Sequence, residues 1–126
     1  MTIQNLGSKG TAVDILANDV VASTANGSGV DLQGYEGDAA FILSAEAGSS
    51  GVTYAVHIEE SADNSTFTDV TDGAFTTTSA NTASFQQIAL NISDLKRYVR
   101  AVTTVAGGTG TGALTVLAYA SKKYTT

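Results

Sequence analysis

The chain contains no cysteine and no proline, and it carries few charges. Charged residues make up 14% of its 126 residues. Without cysteine, neither a disulfide framework nor a thiolate metal site can form. Because proline is absent, the turns must be formed by glycine and by the Asx residues. We therefore expect the fold to be held by side-chain packing, by strand pairing or by assembly with other subunits.

The low charge is combined with a large content of apolar residues. Hydrophobic residues account for 43% of the chain, which argues against disorder because disordered chains combine weak hydrophobicity with strong net charge. The net charge of −6 repels phosphate backbones and anionic membranes, so we expect neither nucleic acid nor a membrane as a partner. The first ten residues lack a basic region followed by an apolar run, so no secretory signal is expected.

Short apolar segments separated by small-residue turns predict an all-β fold. Apolar and polar residues alternate over residues 52–59, as in a strand with one buried and one solvent-exposed face. Further strands are predicted at residues 39–44, 67–70, 75–78 and 84–90. Strands that recur every ~8–12 residues indicate a sandwich or a barrel. We predict a single antiparallel β-sandwich over residues 13–126, jelly-roll-like or alternatively immunoglobulin-like, preceded by an extended N-terminal arm over residues 1–12.

Turn chemistry predicts two hairpins within this sandwich. The Asn26-Gly27 pair is a strong hairpin signal and would join strands at residues 20–23 and 30–34. The glycine-rich residues 106–112 would join a strand at 98–105 to one at 113–120. This second segment lacks the Gly-Lys-Ser/Thr ending of a phosphate-binding loop, so we interpret it as a flexible hairpin tip.

Residues with catalytic or metal-binding chemistry are few and scattered. We interpret His57, the one histidine of the chain, as an exposed strand residue, since a catalytic or metal-ligating role would need partners from distant segments. Asp63, Asp69 and Asp72 lack the spacing of an EF-hand loop and are interpreted as turn residues, with a cation site in residues 63–72 as the alternative. We predict no enzyme activity, no cofactor, no metal and no small-molecule substrate.

The basic residues are scarce, and five of the six Lys and Arg residues lie at two points of the chain. Arginine and tyrosine are enriched in protein interfaces, so we predict a contact with an acidic protein surface or with neighbouring subunits. The alternative is that these charges only solvate strand ends. Tyr98 could also act in the fold, since a tyrosine after a Greek-key corner often hydrogen-bonds upstream backbone. The candidate interface residues are Lys96, Arg97, Tyr98, Arg100, Lys122, Lys123 and Tyr124.

Three segments resemble the small head decoration (cement) proteins of tailed bacteriophages. They read Asp-Leu-Gln-Gly-Tyr-Glu-Gly at 31–37, Ser-Ala-Asp-Asn-Ser-Thr-Phe-Thr-Asp-Val at 61–70 and Leu-Lys-Arg-Tyr-Val-Arg-Ala-Val at 95–102. The resemblance covers most of the chain after Val30 but not the arm. It implies a β-sandwich made in the host cytoplasm that assembles as homotrimers on the capsid exterior and stabilises contacts between major capsid subunits, without catalysis or cofactor.

A carbohydrate- or receptor-binding module of a phage tail or fibre is the alternative function. Sandwich modules usually bind sugars through exposed aromatic rings, whereas aromatic residues here are only 7% of the chain and tryptophan is absent. A hydrolase with a dispersed acidic pair is a further hypothesis, although no local signature selects the two carboxylates. Exposed clustering of four tyrosines would favour the binding module: Tyr35, Tyr54, Tyr119 and Tyr124.

Overall fold

The computed structural model describes residues 10–21, 25–48, 50–107 and 112–122. Within these ranges the chain forms nine strands and a single 3₁₀ turn, Ile92–Asp94. None of the described helical segments has the length and apolarity to cross a bilayer. The prediction of an all-β chain is confirmed. The strands are β1 (Gly10–Val21), β2 (Ala25–Asn26), β3 (Val30–Asp31), β4 (Tyr35–Ala45), β5 (Thr53–Ser61), β6 (Thr68–Ala74), β7 (Ser84–Asn91), β8 (Tyr98–Ala106) and β9 (Gly112–Lys122).

The strands form two antiparallel sheets with a jelly-roll order. The first sheet runs β1-β9-β4-β7 and the second runs β2-β8-β5-β6, with β3 also paired to β8. Because β5 occupies one edge of β8 along its whole length, β2 and β3 share the other edge as one interrupted strand. With β2 and β3 counted as one strand, each sheet has four strands. Two sheets of four strands in this order are typical of a jelly roll, and the order differs from that of an immunoglobulin domain. The predicted sandwich is confirmed in its jelly-roll form.

The core lies between the sheets and is built from alternate residues of each long strand. In β4, Phe41 and Leu43 are fully buried. In β5 the predicted alternation of residues 52–59 is confirmed, since the even-numbered positions are buried and the odd-numbered ones are half-buried on the outer face. Alternation of this kind means that the inward residues also fix which side chains face outward.

Tyr54 is the largest fully buried side chain, and glycines leave room for its ring. A Cβ on Gly112 would lie 2.7 Å from the Tyr54 hydroxyl oxygen, and one on Gly48 would lie 3.1 Å from the ring. The backbone N–H of Tyr54 donates to Thr78 Oγ1 at 2.9 Å, and its carbonyl accepts from the Thr78 N–H at 2.9 Å. Burial raises the pKa of the Tyr54 hydroxyl, because an apolar interior disfavours the phenolate.

Neither predicted hairpin forms. Ala25 and Asn26 pair with β8 as strand β2, and the N–H of Gly27 donates to the carbonyl of Ala101 at 2.8 Å. A Cβ on Gly27 would lie 2.9 Å from that carbonyl oxygen, so glycine is required here for a close approach and not for a turn. The second hairpin is wrong because β8 and β9 belong to different sheets, so the glycine-rich segment connects the two sheets.

The predicted strand at residues 75–78 is also wrong. Phe75 and Thr78 donate backbone hydrogen bonds to the carbonyls of Val56 and Tyr54, but the segment forms no ladder. Of the predicted arm, residues 1–9 lie outside the described residues. Residues 10–12 belong to β1, which pairs with β9 from Gly10 onward.

Two phenylalanines provide a matched test of this core. Phe41 is fully buried, whereas Phe85 is 74% exposed. Phe41→Ala should lower the free energy of unfolding by about 3–5 kcal/mol, since it removes core packing and leaves a cavity. Phe85→Ala should cost less than about 0.5 kcal/mol. Urea unfolding of both variants measures the two values, and equal costs would contradict the packing described.

Candidate functional site

One end of the sandwich collects most of the basic residues that the sequence analysis singled out. Lys122 pairs with Tyr35, whose N–H donates to the carbonyl of Leu32 at 3.0 Å. The N–H of Leu32 in turn donates to the carbonyl of Arg97 at 2.7 Å. These links join the end of β9 to the start of β8. We call the described residues Lys96, Arg97, Tyr98 and Lys122 the basic end; the predicted Lys123 and Tyr124 lie outside the described residues.

Arg97 forms an ion pair within the chain. Its Nε lies 3.1 Å from Asp31 Oδ1 and its Nη2 lies 2.9 Å from Asp31 Oδ2, a bidentate arrangement that ties β8 to β3. The guanidinium also lies over the Tyr98 ring, 5.1 Å from its centre. The hydrogen bond from Arg97 lowers the pKa of Asp31. The Arg97 side chain is still 46% exposed, so part of it faces solvent and can meet a partner.

The other members of the basic end differ in how they are held. The backbone N–H of Lys96 donates to Glu60 Oε1 at 2.8 Å, and the Lys96 side chain is exposed. Lys122 is half-buried at the last position of β9. Tyr98 is half-buried beneath Arg97, and within the described ranges its hydroxyl makes no hydrogen bond. The alternative in which Tyr98 hydrogen-bonds upstream backbone after a Greek-key corner therefore gains no support. An interface role for these residues stays a prediction.

Arg100 lies further along β8, on the outer face of the second sheet. Its Nε and Nη2 lie 2.8 and 2.7 Å from Glu59 Oε1, and its guanidinium lies 4.1 Å from the centre of the Phe67 ring. Burial alone would raise the pKa of Glu59, but hydrogen bonds from Arg100 and His57, together with their charges, lower it. The charge of Arg100 is therefore already paired, and its contact with another subunit also stays a prediction.

His57 has carboxylate partners that the sequence analysis did not find. Its Nε2 lies 3.3 Å from Glu59 Oε2 and 3.3 Å from Asp69 Oδ1. Glu59 shares the outer face of β5 with His57, whereas Asp69 comes from β6, where the register with β5 shifts between His57 and Glu59. The pairing of β6 with β5 decides this contact, and no sequence spacing indicated it. These three residues are the one group within the described ranges that could hold a metal ion.

The acidic residues that the sequence analysis interpreted as turn residues lie partly in a turn and partly in a strand: Asp63 lies in the loop after β5, whereas Asp69 and Asp72 lie in β6. Asp63 Oδ1 accepts hydrogen bonds at 2.9 Å from Ser61 Oγ and from the backbone N–H groups of Ser65 and Thr66. The bond from Thr66 contributes most to lowering the pKa of Asp63. The turn interpretation is therefore confirmed for Asp63, but it is wrong for Asp69 and Asp72, because β6 pairs with β5 from Thr68 to Ala74 and takes both into the strand. Asp72, at φ 61°, lines an open cavity of about 520 Å³ together with His57 and Asp69.

The outer face of the first sheet carries large apolar side chains, with Ser44, Gln87 and Thr115 among them, which is unusual for a solvent-facing sheet surface. The register places Tyr119 beside Ala40, Leu117 beside Ile42, and Phe85 beside Ser44. Phe85 is 74% exposed and Tyr119 is 38% exposed. Within the described residues, Asp14 and Asp38 are charged neighbours at the margins of this group. We call Ala40, Ile42, Phe85, Ala89, Leu117 and Tyr119 the apolar face.

The sequence did contain a signal for the apolar face. Residues 39–43 of β4 and 116–120 of β9 are apolar at nearly every position, whereas residues 53–59 of β5 alternate polar and apolar residues except at Ala55. A continuous apolar strand is typical of a sheet that is covered on both sides. The exposed cluster of four tyrosines that would have favoured the receptor-binding module does not form, because Tyr54 is in the core and Tyr35 is half-buried; Tyr124 lies outside the described residues.

Comparisons with known proteins identify related folds. No protein-family model matches the chain, and no curated protein matches it in sequence. The fold is similar to that of the SPBc2 prophage-derived protein YomS, with a TM-score of 0.53 and 15% identity over 89% of this chain and 93% of YomS. It is also similar to a chain of the T13 IBDV viral particle, with a TM-score of 0.54 and 12% identity over 90% of this chain and 31% of the other. This chain therefore spans under a third of that viral chain, and at such identities the similarity shows the fold alone.

The two arginines should differ in their contribution to stability. Arg100→Ala should lower the free energy of unfolding by about 1–2 kcal/mol, because it removes charge-assisted hydrogen bonds to a mostly buried Glu59. Arg97→Ala is the matched control and should cost less, since the Arg97–Asp31 pair is more exposed. Chemical denaturation near pH 7 measures both variants. A larger loss for Arg97→Ala would contradict this ranking.

The effect of Arg100→Ala should also depend on pH. The folded-state pKa of Glu59 is lowered from its ordinary value of 4.5, so its stabilising contribution is complete above that pH. The contribution is lost as the pH falls through the lowered pKa, because the protonated carboxyl no longer pairs with Arg100. The difference in unfolding free energy between wild type and Arg100→Ala should therefore shrink below pH 4.5. A difference that stays constant down to acid unfolding would contradict the pairing.

Proposed function

We propose that the chain is a structural virion protein that binds the outer surface of a phage capsid and stabilises contacts between major capsid subunits. The apolar face is the observation that carries this proposal. The resemblance of three sequence segments to head decoration proteins supports it. The similarity in fold to a prophage-derived protein and to a chain of a viral particle supports the broader virion role.

The apolar face has the composition expected of the centre of a protein interface. Each Å² of apolar surface removed from water contributes about 25 cal/mol, and full burial of one phenylalanine contributes about 1.5–3 kcal/mol. Phe85 and Tyr119 provide exposed rings, while Asp14 and Asp38 lie at the margin. An apolar centre with a polar rim is the usual arrangement in stable interfaces. The major capsid protein is the partner that we propose for this face.

The opposite side of the sandwich is suited to face solvent. The outer face of the second sheet carries Arg100, Glu59 and His57 on neighbouring strands, with Asp69 beside them. Together with the net charge of −6, these groups favour hydration and oppose self-aggregation. A capsid-bound sandwich with its apolar face inward would therefore present a polar surface outward, which fits a location on the capsid exterior.

The basic end is suited to contacts between copies of the chain. Lys96 and the part of Arg97 that faces solvent supply positive charge on a protein that is acidic as a whole. Opposite charges on neighbouring copies would fix their orientation. We therefore assign this end, with Lys122 and the following Lys123 and Tyr124, to contacts within a homotrimer. These roles are binding roles, and we propose no catalytic reaction for the chain.

Binding to heads should depend on the apolar face. Phe85→Asp should weaken binding to undecorated heads of the parent phage by about 30-fold or more, the loss typical of an interface hot spot. Thr104→Asp is the matched control, since Thr104 is exposed on the outer face of the second sheet. Cosedimentation measures binding, and unfolding midpoints verify that both variants fold. Wild-type binding by Phe85→Asp would refute this docking surface, and glycan binding without head binding would favour the receptor-binding module.

The assembly state should depend on the basic end. Light scattering should give a mass near three times the 12.8 kDa of one chain. Lys96→Glu should shift the mass towards that of a monomer, because it places a negative charge at an interface between acidic copies. Lys96→Gln should have a smaller effect, since it removes the charge without reversing it. A monomeric wild type would refute the trimer, and a trimer unaffected by Lys96→Glu would move its interface elsewhere.

A further inference from the structure

The His57 cluster has the spacing of a metal-ligand set. His57 Nε2 lies 3.3 Å from Glu59 Oε2 and 3.3 Å from Asp69 Oδ1, and all three ligand atoms lie within 4.8 Å of one another. In a tetrahedral zinc site with bonds of ~2.0–2.2 Å, ligand atoms are about 3.3–3.6 Å apart. The two measured distances therefore match the edges of such a site.

The same two distances are long for direct ion pairs. Charge-assisted N–H···O⁻ hydrogen bonds are usually ~2.7–2.9 Å. Both carboxylates approach the same nitrogen of His57, and that nitrogen can carry only one proton to donate. One N–H cannot satisfy two carboxylates equally well. A cation between the three groups would satisfy all of them, with His57 as a neutral ligand.

A second layer of contacts holds Glu59 in the orientation that a metal ligand needs. Arg100 Nε and Nη2 both contact Oε1 of Glu59, so Oε2 is left to face His57. Arg100 is itself held over the Phe67 ring at 4.1 Å. Hydrogen-bonded partners of this kind orient metal-ligating carboxylates in known sites and tune their affinity.

The cluster is accessible from solvent on one side. The Glu59 side chain is only 16% exposed and that of His57 is 31% exposed, whereas that of Asp69 is 80% exposed. The adjoining cavity of about 520 Å³ is lined by His57, Asp69 and Asp72. Three protein ligands with an open side leave a coordination position for water or for a further carboxylate.

We propose that His57, Glu59 and Asp69 bind one zinc ion on the outer face of the second sheet. An imidazole with two carboxylates suits zinc and similar first-row divalent ions, whereas calcium and magnesium prefer sets made entirely of oxygen. The ion would cross-link β5 to β6, which is the edge strand of its sheet. This site lies on the sheet opposite the apolar face and is independent of capsid binding.

The test is calorimetric titration of zinc chloride into the full-length chain without a histidine tag, since a tag would add ligands. We expect saturable binding of one ion per chain. His57→Ala and Asp69→Asn should each weaken zinc affinity by at least the ~10–100-fold that loss of an outer-layer partner costs. Asp38→Asn, which removes an exposed carboxylate on the other sheet, is the matched control and should bind as wild type does.

Nuclear magnetic resonance of the wild-type chain tests the site without relying on any variant. His57 is the one histidine of the chain, so its ring nitrogens give unambiguous signals. Zinc should shift the Nε2 signal at the same stoichiometry that calorimetry gives, and calcium chloride should leave it in place. Absence of saturable zinc binding, zinc binding that leaves the Nε2 signal in place, or unchanged affinity in a folded His57→Ala variant would overturn the proposal.

Discussion

Burial of alternate side chains between the two sheets is the interaction on which the rest of the structure depends. The chain has no cysteine, so no disulfide supports the sandwich. Phe41, Leu43 and Tyr54 fill the space between the sheets, and Gly112 leaves room for the Tyr54 ring. Because successive strand residues point to opposite sides, these inward residues determine the position of every outward one. The surfaces that we propose for binding follow from the packing of the core.

The two outer faces differ because their strands have different patterns. In β5 the odd-numbered positions are polar except for Ala55, so the second sheet presents His57 and Glu59 on its outer face. In β4 and β9 apolar residues occupy both sides, so the first sheet presents Ile42, Leu117 and Tyr119. A sheet with one polar and one apolar face needs one partner layer, whereas a sheet that is apolar on both faces needs two. The second sheet covers the inner face of the first sheet, and we propose that the capsid covers its outer face.

Both arginines form ion pairs within the chain, which limits how much of their charge can contact a partner. Arg97 holds β3 against β8 through Asp31, and Arg100 holds Glu59 in place beside His57. Both arginines also lie over aromatic rings, at 5.1 and 4.1 Å. Since the chain has only six basic residues, these two pairs use a third of them. The basic end thus depends on Lys96 and Lys122 and on the part of Arg97 that faces solvent.

The sequence alone determined the fold class, most strand positions and the inward residues of β5, because these follow from short-range alternation and turn composition. It also placed the basic residues at two points of the chain, from which the structure brings Lys96, Arg97 and Lys122 to one end of the sandwich. The sequence did not predict the connections at the two expected hairpins. The Asn26-Gly27 pair and the glycine-rich segment indicate a change of chain direction, but they do not indicate whether the next strand joins the same sheet or the other one. Only the tertiary structure decided the jelly-roll order, which strands lie side by side in the apolar face, and the meeting of Asp69 with His57. Those features depend on pairing between strands that are far apart in the chain, and no local pattern of residues specifies that pairing.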